Sequence, residues 1–213
     1  MTSRARKRLK PDERRAKILS AAVRAFAREG YDGATMDDIA LGAKITKPVL
    51  YDHFASKREL FAATLESIRD DLLARGQAIA AAADGAEAKF RRSADAFFQF
   101  VEESPQAARV LLTVPSSDPV AARLSRQVQA GAAAGIAAML ATSMPSDANW
   151  RVRAAAEFIK EGLHAVAVWW LSSPGPSRQQ LVDLVTDIVW TGLERAPKPA
   201  PARPLPLIGE VES

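Results

Sequence analysis

Apolar residues return every three or four positions along most of the chain, β-branched alternation is missing, and runs rich in Ala, Leu, Glu, Arg and Gln lie between Gly and Pro punctuation. That period predicts an all-α protein of about nine helices. The first is expected from about Pro11 to Arg28, with Ile18, Leu19, Ala22 and Phe26 on one stripe and Gly30 as its stop. Thr35 opens a short second helix, in which Met36, Ile39, Ala40 and Ala43 recur at helical spacing and Asp37 and Asp38 suit the positive N-terminus. A third starts at Thr46, whose hydroxyl can cap free N–H groups, with Pro48 tolerated in the first turn and Leu50 and Phe54 pointing inward. Ser56 caps a longer fourth helix carrying Phe61, Leu65, Ile68 and Leu72, which fades in the Ala-rich stretch between Ala80 and Gly85.

Further along, Ser104 before Pro105 and Asp118 before Pro119 each read as an N-cap followed by proline at the first helical position. Two strong helices, from about Asp147 to Leu171 and from about Ser177 to Arg195, are separated by Ser172 to Pro176 and are expected to form an antiparallel hairpin. Their stripes hold Phe158, Val166 and Trp170, then Leu181, Leu184, Val185, Ile188 and Gly192; paired with the same hairpin of a second copy they would make a two-fold homodimer interface. From Pro197, five prolines in ten residues forbid helix and sheet, so an extended or disordered tail is expected over 197–213. The resulting division is a basic arm over 1–10, a three-helix head over 11–56, a helical body over 57–196 that begins with a linking helix over 57–82, and the tail.

Composition changes this picture little: 213 residues with 48% hydrophobic and 25% charged positions belong to an ordinary globular chain. No apolar run reaches the roughly 18 residues that cross a bilayer, and no membrane association is expected. The absence of cysteine rules out disulfides and thiolate chemistry and fits a cytoplasmic location. Charge is more telling in its placement. Residues 1–60 hold 14 Lys and Arg against 8 Asp and Glu, or +6, whereas residues 61–213 hold 15 against 17, or −2. A basic excess at one end favours a polyanion, because each cation placed near a phosphate releases counterions.

Two short helices joined by a tight turn, the second opening at a threonine cap and rich in polar groups, form the helix-turn-helix plan for a major groove; on spacing alone a structural three-helix bundle fits equally well. The residues tip the balance. Ile18-Leu19-Ser20-Ala21-Ala22, Phe26-Ala27-Arg28-Glu29-Gly30-Tyr31, Thr35-Met36-Asp37-Asp38-Ile39-Ala40 and Leu50-Tyr51-Asp52-His53-Phe54-Ala55-Ser56-Lys57 resemble, in order and spacing, the signature of the TetR family of bacterial transcriptional regulators. The resemblance covers about residues 14–61. It implies a dimeric repressor or, less often, an activator, bound to a pseudo-palindromic double-stranded DNA operator and responsive to a small effector. One departure stands in the turn, where the family's usual glycine is replaced within Ala43-Lys44-Ile45-Thr46. Lys44 would then occupy a position that often needs positive φ, at a cost of about 1 kcal/mol, and its ammonium could add a phosphate contact. The resemblance places Thr35, Tyr51, His53 and Lys57 against the phosphate backbone. Thr46, Lys47, Pro48 and Val49 lie at the leading end of the recognition helix, where lysine can reach guanine acceptors and apolar atoms can meet a thymine methyl. The arm, with Arg4, Arg6, Lys7, Arg8 and Lys10, can follow the backbone or enter a minor groove.

In the body, Phe97, Phe100, Leu111, Met139, His164 and Trp169 form an aromatic-rich set with few charges, a candidate pocket for a small apolar or amphipathic effector. Enzymatic readings fare worse. Glu161-Gly162-Leu163-His164 has the Glu-x-x-His form of a bundle metal site, but a di-metal centre of that type needs two such pairs, and His53 has no matching Glu. No cofactor, metal or catalytic activity is therefore expected. A structural helical adaptor without sequence-specific DNA binding is the rival reading.

Overall fold

The computed structural model describes residues 10–80, 85–113, 117–141, 149–173 and 175–195. Among them the chain forms nine helices and no strand: α1 (Pro11–Gly33), α2 (Met36–Ala43), α3 (Lys47–His53), α4 (Lys57–Ala80), α5 (Ala86–Glu103), α6 (Pro105–Thr113), α7 (Pro119–Leu140), α8 (Asn149–Trp170) and α9 (Arg178–Arg195). The arm cations Arg4 to Arg8, the Asp147 boundary and the Pro-rich segment lie outside the described residues.

Local chemistry explains most boundaries. Glu13 accepts the Lys10 N–H at 3.0 Å and Pro11 starts α1 without a donor to lose. The Thr35 hydroxyl oxygen accepts the Asp38 N–H at 3.1 Å, and Ser56 accepts the Glu59 N–H at 3.1 Å while Glu59 reaches back to the Ala55 N–H at 2.7 Å. Asp118 caps α7 by accepting from Val120 and Ala121. Thr46 occupies the N-cap position of α3 with extended backbone, but its hydroxyl makes no capping bond, so it is left exposed on the surface.

Two expectations need revision. Gly30 does break α1, at φ 70° and ψ 177°, yet a further short helical stretch runs to Gly33 beyond the kink. The last two helices do not pack chiefly on each other: α9 lies on α5 and α8 on α7. Ion pairs fix the first pairing, with Arg91 on α5 bound to Asp183 on α9, and Arg178 on α9 reaching Asp95 at 2.9 Å and Glu102 at 3.1 Å. Charge complementarity of that reach cannot be read from apolar spacing alone.

One hydrophobic cluster runs from Ile18, Phe26, Ile39 and Leu50 in the head through Leu60, Phe61 and Leu65 of α4 to Phe98, Val101, Leu111 and Leu181. No packing break therefore follows Ser56, and α4 belongs to both halves. A smaller cluster of Phe90, Leu140, Val152 and Ile159 closes the far end. Within this packing α1 rests on α2, α4 and α6, so the body supports the head through its first helix.

Candidate nucleic-acid interface

The interface rests on the α2–α3 corner. The buried faces of Ile39, Ala40, Ala43 and Leu50 hold the two helices together, and Phe26, Tyr31 and Phe61 stack behind them with ring centroids 4.8 to 6.1 Å apart. Arg15 lies 4.6 Å over the Phe54 ring, closing the corner from α1. At the turn, Lys44 adopts φ 56° and ψ 44°, the left-handed conformation expected there, and the Ile45 N–H reaches the Ala40 carbonyl at 3.1 Å. The leading end of α3 faces out: Thr46, Lys47 and Pro48 are exposed, Val49 is half-buried, Tyr51 is exposed on the next turn and His53 half-buried behind it.

Two cations and one hydroxyl have partners that sequence could not supply. Lys47 forms an ion pair with Asp37 of α2 at 2.8 Å, and that hydrogen bond and charge raise its pKa. Both members are well exposed, so water and phosphate compete easily for the ammonium. The Thr35 hydroxyl, besides capping α2, donates to the Asp38 carboxylate at 2.6 Å. Lys57 turns inward: its ammonium donates to the carbonyls of Asp32 at 3.2 Å and Ala34 at 3.1 Å and sits 4.7 Å over the Tyr31 ring.

That inward turn belongs to a junction between head and body that the sequence did not reveal. Asp118 accepts two bonds from Arg58, at 3.2 and 2.7 Å, and one from the Tyr31 hydroxyl at 3.3 Å. The Arg58 hydrogen bond, followed by the capping N–H groups of Ala121 and Val120, outweighs desolvation and holds the Asp118 carboxyl at about 2. Burial first, then Asp118, pushes the Tyr31 phenol up, so it stays protonated and donates. Beside it, the Ser117 N–H and hydroxyl both donate to the Asp32 carboxylate at 2.9 Å.

The six residues expected to line an effector pocket do not converge. Phe97 stacks on His164 at 6.0 Å, Phe100 is buried beneath the Arg75 guanidinium, Leu111 belongs to the main core, Met139 to the smaller cluster, and Trp169 is 51% exposed on the outer face. The described residues do form a cleft of about 300 Å³ between α1, α4, α5 and α6, with Leu19, Val23, Ile68 and Phe100 in its wall, and a smaller one of about 160 Å³ beside Phe97 and Arg75. Burial lowers the His164 pKa, and Glu161, the other member of the Glu-x-x-His pair, is drawn to Lys160 at 3.0 Å. Among the described residues no three His, Cys, Asp or Glu side chains gather as metal ligands would.

The candidate dimer face also needs correction. Leu181 and Val185 are buried within the chain itself, and Trp170 turns inward, its ring edge-on to Phe98 and its indole N–H donating to the Pro176 carbonyl at 3.0 Å. Val166 is half-buried against the main core. Phe158 at 74% exposure, Leu184 at 52% and Ile188 at 59% do face outward, with Gly192 beside them. The outward line of α8 is Phe158, Gly162, Ala165 and Trp169.

Comparison with known proteins agrees with this geometry. The family model described as bacterial regulatory proteins, tetR family, matches residues 18–64. The HTH-type transcriptional activator FasR of Mycolicibacterium smegmatis is 32% identical over 198 residues, which cover 89% of this chain and 87% of that protein. In three dimensions, a TetR-like transcriptional regulator from Rhodococcus sp. RHA1 superposes with a TM-score of 0.76 at 24% identity, covering 88% of this chain and 100% of that one. The regulator FadR from Bacillus subtilis, solved in complex with stearoyl-CoA, gives 0.73 at 18% identity over 83% and 98% of the two chains.

Proposed function

The chain belongs to the TetR family of transcriptional regulators, and from that premise we propose that it binds a pseudo-palindromic operator as a homodimer and releases or engages it in response to a small apolar or amphipathic effector. The observation that carries the DNA reading is the exposed leading end of α3, with Thr46, Lys47, Pro48 and Tyr51 presented on a corner whose opposite face is core. Lys47 and Val49 would set sequence preference, and Tyr51, His53, Lys44 and the Thr35 turn would set register on the phosphates. Two of the three Lys57 N–H donors are already taken by the Asp32 and Ala34 carbonyls, so its main part is to hold α4 against the end of α1.

The second copy would lie on the outward stripes of α8 and α9, whose small residues Gly162, Ala165 and Gly192 allow close approach between the larger Phe158, Trp169, Leu184 and Ile188. The effector reading rests on the apolar body and on the acyl-CoA named for the Bacillus subtilis structure. The two clefts are at or below the small end of ordinary ligand pockets, so an effector of that length would have to part α5 from α8, where Phe97 and His164 now stack. Ligand binding would thereby shift the population between two spacings of the heads. Repression is the sign the sequence resemblance implies; activation is the second reading, favoured by the named role of the Mycolicibacterium smegmatis relative.

Selection of bound fragments from random-sequence duplex DNA, repeated across a salt series, tests the core of this. The parent should enrich a two-half-site sequence whose binding weakens steeply with salt, and a Lys47→Ala, Tyr51→Ala double variant should lose the enrichment. Equal recovery of all sequences by both proteins would instead favour a helical adaptor. Expression of a reporter behind the selected sequence, with and without the protein, then fixes the sign.

A further inference from the structure

We propose that Asp118, a residue of the body, is a positioning residue for DNA binding: it clamps the segment between the Gly30 kink and α2 and so sets how the helix-turn-helix sits on the rest of the chain. The inference rests on the reading that a dimer binds two half-sites.

The two carboxylate oxygens divide the work. Oδ1 accepts the N–H groups of Val120 at 2.9 Å and Ala121 at 3.3 Å, which is an ordinary helix cap. Oδ2 accepts both Arg58 bonds and the Tyr31 hydroxyl, which no cap requires. Arg58 stands in the first turn of α4, next to Lys57, and Tyr31 stands one residue past the kink. The next residue along the segment, Asp32, receives two bonds from Ser117, and its carbonyl and that of Ala34 receive the Lys57 ammonium. Residues 31–34 are therefore gripped from the α4 side and from the α7 side at once, and they lead straight into Thr35, the cap of α2.

Gly30 supplies the freedom that makes such a grip necessary. Its φ of 70° lies outside the helical well, so the helical ladder of α1 does not by itself fix the direction of residues 31–34. A single exposed ion pair would contribute little. Here one carboxylate that is only 18% exposed serves a bidentate guanidinium, a phenol and a helix end together, and release of any member leaves the others incompletely bonded. Any motion that shifts the start of α7 against α4 is thereby passed directly to the segment that feeds α2, in addition to what α4 carries along its length.

Asp118→Asn separates the two roles, since an asparagine oxygen can still cap α7 while its amide no longer offers Arg58 a charge. Binding is measured on duplexes carrying the selected half-sites with the spacer lengthened or shortened base pair by base pair. Asp118→Asn and Arg58→Gln should each weaken binding at the preferred spacing by at least about fivefold and flatten the spacing profile, and the double variant should be no worse than either. A drop of the same factor at every spacing, or an unchanged profile, overturns the proposal. A second measurement needs no DNA. The chain has no cysteine, so spin labels at Asp52→Cys and Gln127→Cys, diluted with unlabelled chain, report the distance from α3 to α7. The Asp118→Asn background should broaden that distance distribution; a distribution as narrow as the parent's counts against the clamp. If the parent selects no two-half-site DNA, the regulator reading fails, while the distance measurement still decides the clamp.

Discussion

At Lys44 the backbone sits at φ 56° and ψ 44°, inside the left-handed well, whereas Gly30 pairs φ 70° with ψ 177°, a region open essentially to glycine alone. The two positions should respond oppositely to exchange. Lys44→Gly removes the strain of a Cβ in that well, part of which is offset by the larger freedom of glycine in the unfolded chain, and should stabilise by about 0.5 to 1 kcal/mol. Gly30→Ala should destabilise by about 1 to 3 kcal/mol, and through conformation alone, because a Cβ there would meet no atom within 4 Å. Urea unfolding of the three proteins measures both; a loss of stability in Lys44→Gly would mean that the lysine side chain outweighs its backbone cost. Both positions were legible in the sequence, since turn chemistry acts over a few neighbouring residues. So were the caps at Thr35, Ser56 and Asp118. What escaped were the ends of long side chains: Lys47 on Asp37, Lys57 on the carbonyls of residues 32 and 34, Arg58 on Asp118. Such ends reach many partners of equal chemistry, and only the fold decides among them.

An element's period tells that a helix has an apolar face, but a helix such as α8 has apolar residues most of the way round, and one position of slip turns the reading through about 100°. Trp169 and Trp170 show the consequence. The stripe offers Trp170 to a partner and the aromatic-rich set offers Trp169 to a pocket, whereas Trp170 lies inward against Phe98 and Trp169 is exposed on the surface. On α9 the same ambiguity joined Leu181 and Val185, which face inward, to Leu184 and Ile188, which face outward. The division gives a direct test. Leu184→Asp with Ile188→Asp should leave the helical circular dichroism intact and convert the protein from dimer to monomer in sedimentation, since the exposed positions do not serve the fold of one chain. Leu181→Ala should do the reverse, lowering stability by about 2 to 5 kcal/mol as a cavity opens, without changing association. A dimer that survives both aspartates would place the interface elsewhere.

Among the described residues no seam separates head from body: one hydrophobic cluster passes from α1 through α4 to α9, and polar clasps tie the start of α7 to the end of α1. Electrostatics, in contrast, is divided sharply. Of the +6 carried by residues 1–60, Arg4, Arg6, Lys7 and Arg8 supply +4 with no acidic residue among the first nine, so residues 10–60 hold 10 cations against 8 anions, or +2. Several of those ten are already engaged within the protein: Lys47 with Asp37, Lys57 with carbonyls and Arg58 with Asp118. On the proposed reading, the folded head would contribute more to recognition than to attraction, and attraction would fall largely to the arm. Removal of residues 1–9 should weaken binding to selected and unrelated DNA alike and reduce the slope of log affinity against log salt by about 0.9 for each phosphate that the arm neutralises, or about 3.6 if all four of its cations do so. Preference between the two DNAs should change much less if the arm follows phosphates; a selective loss on the selected sequence would mean that it reads a minor groove as well. An unchanged slope would return the whole electrostatic task to the exposed end of α3, and Lys47→Ala would then have to carry the salt dependence that the arm does not.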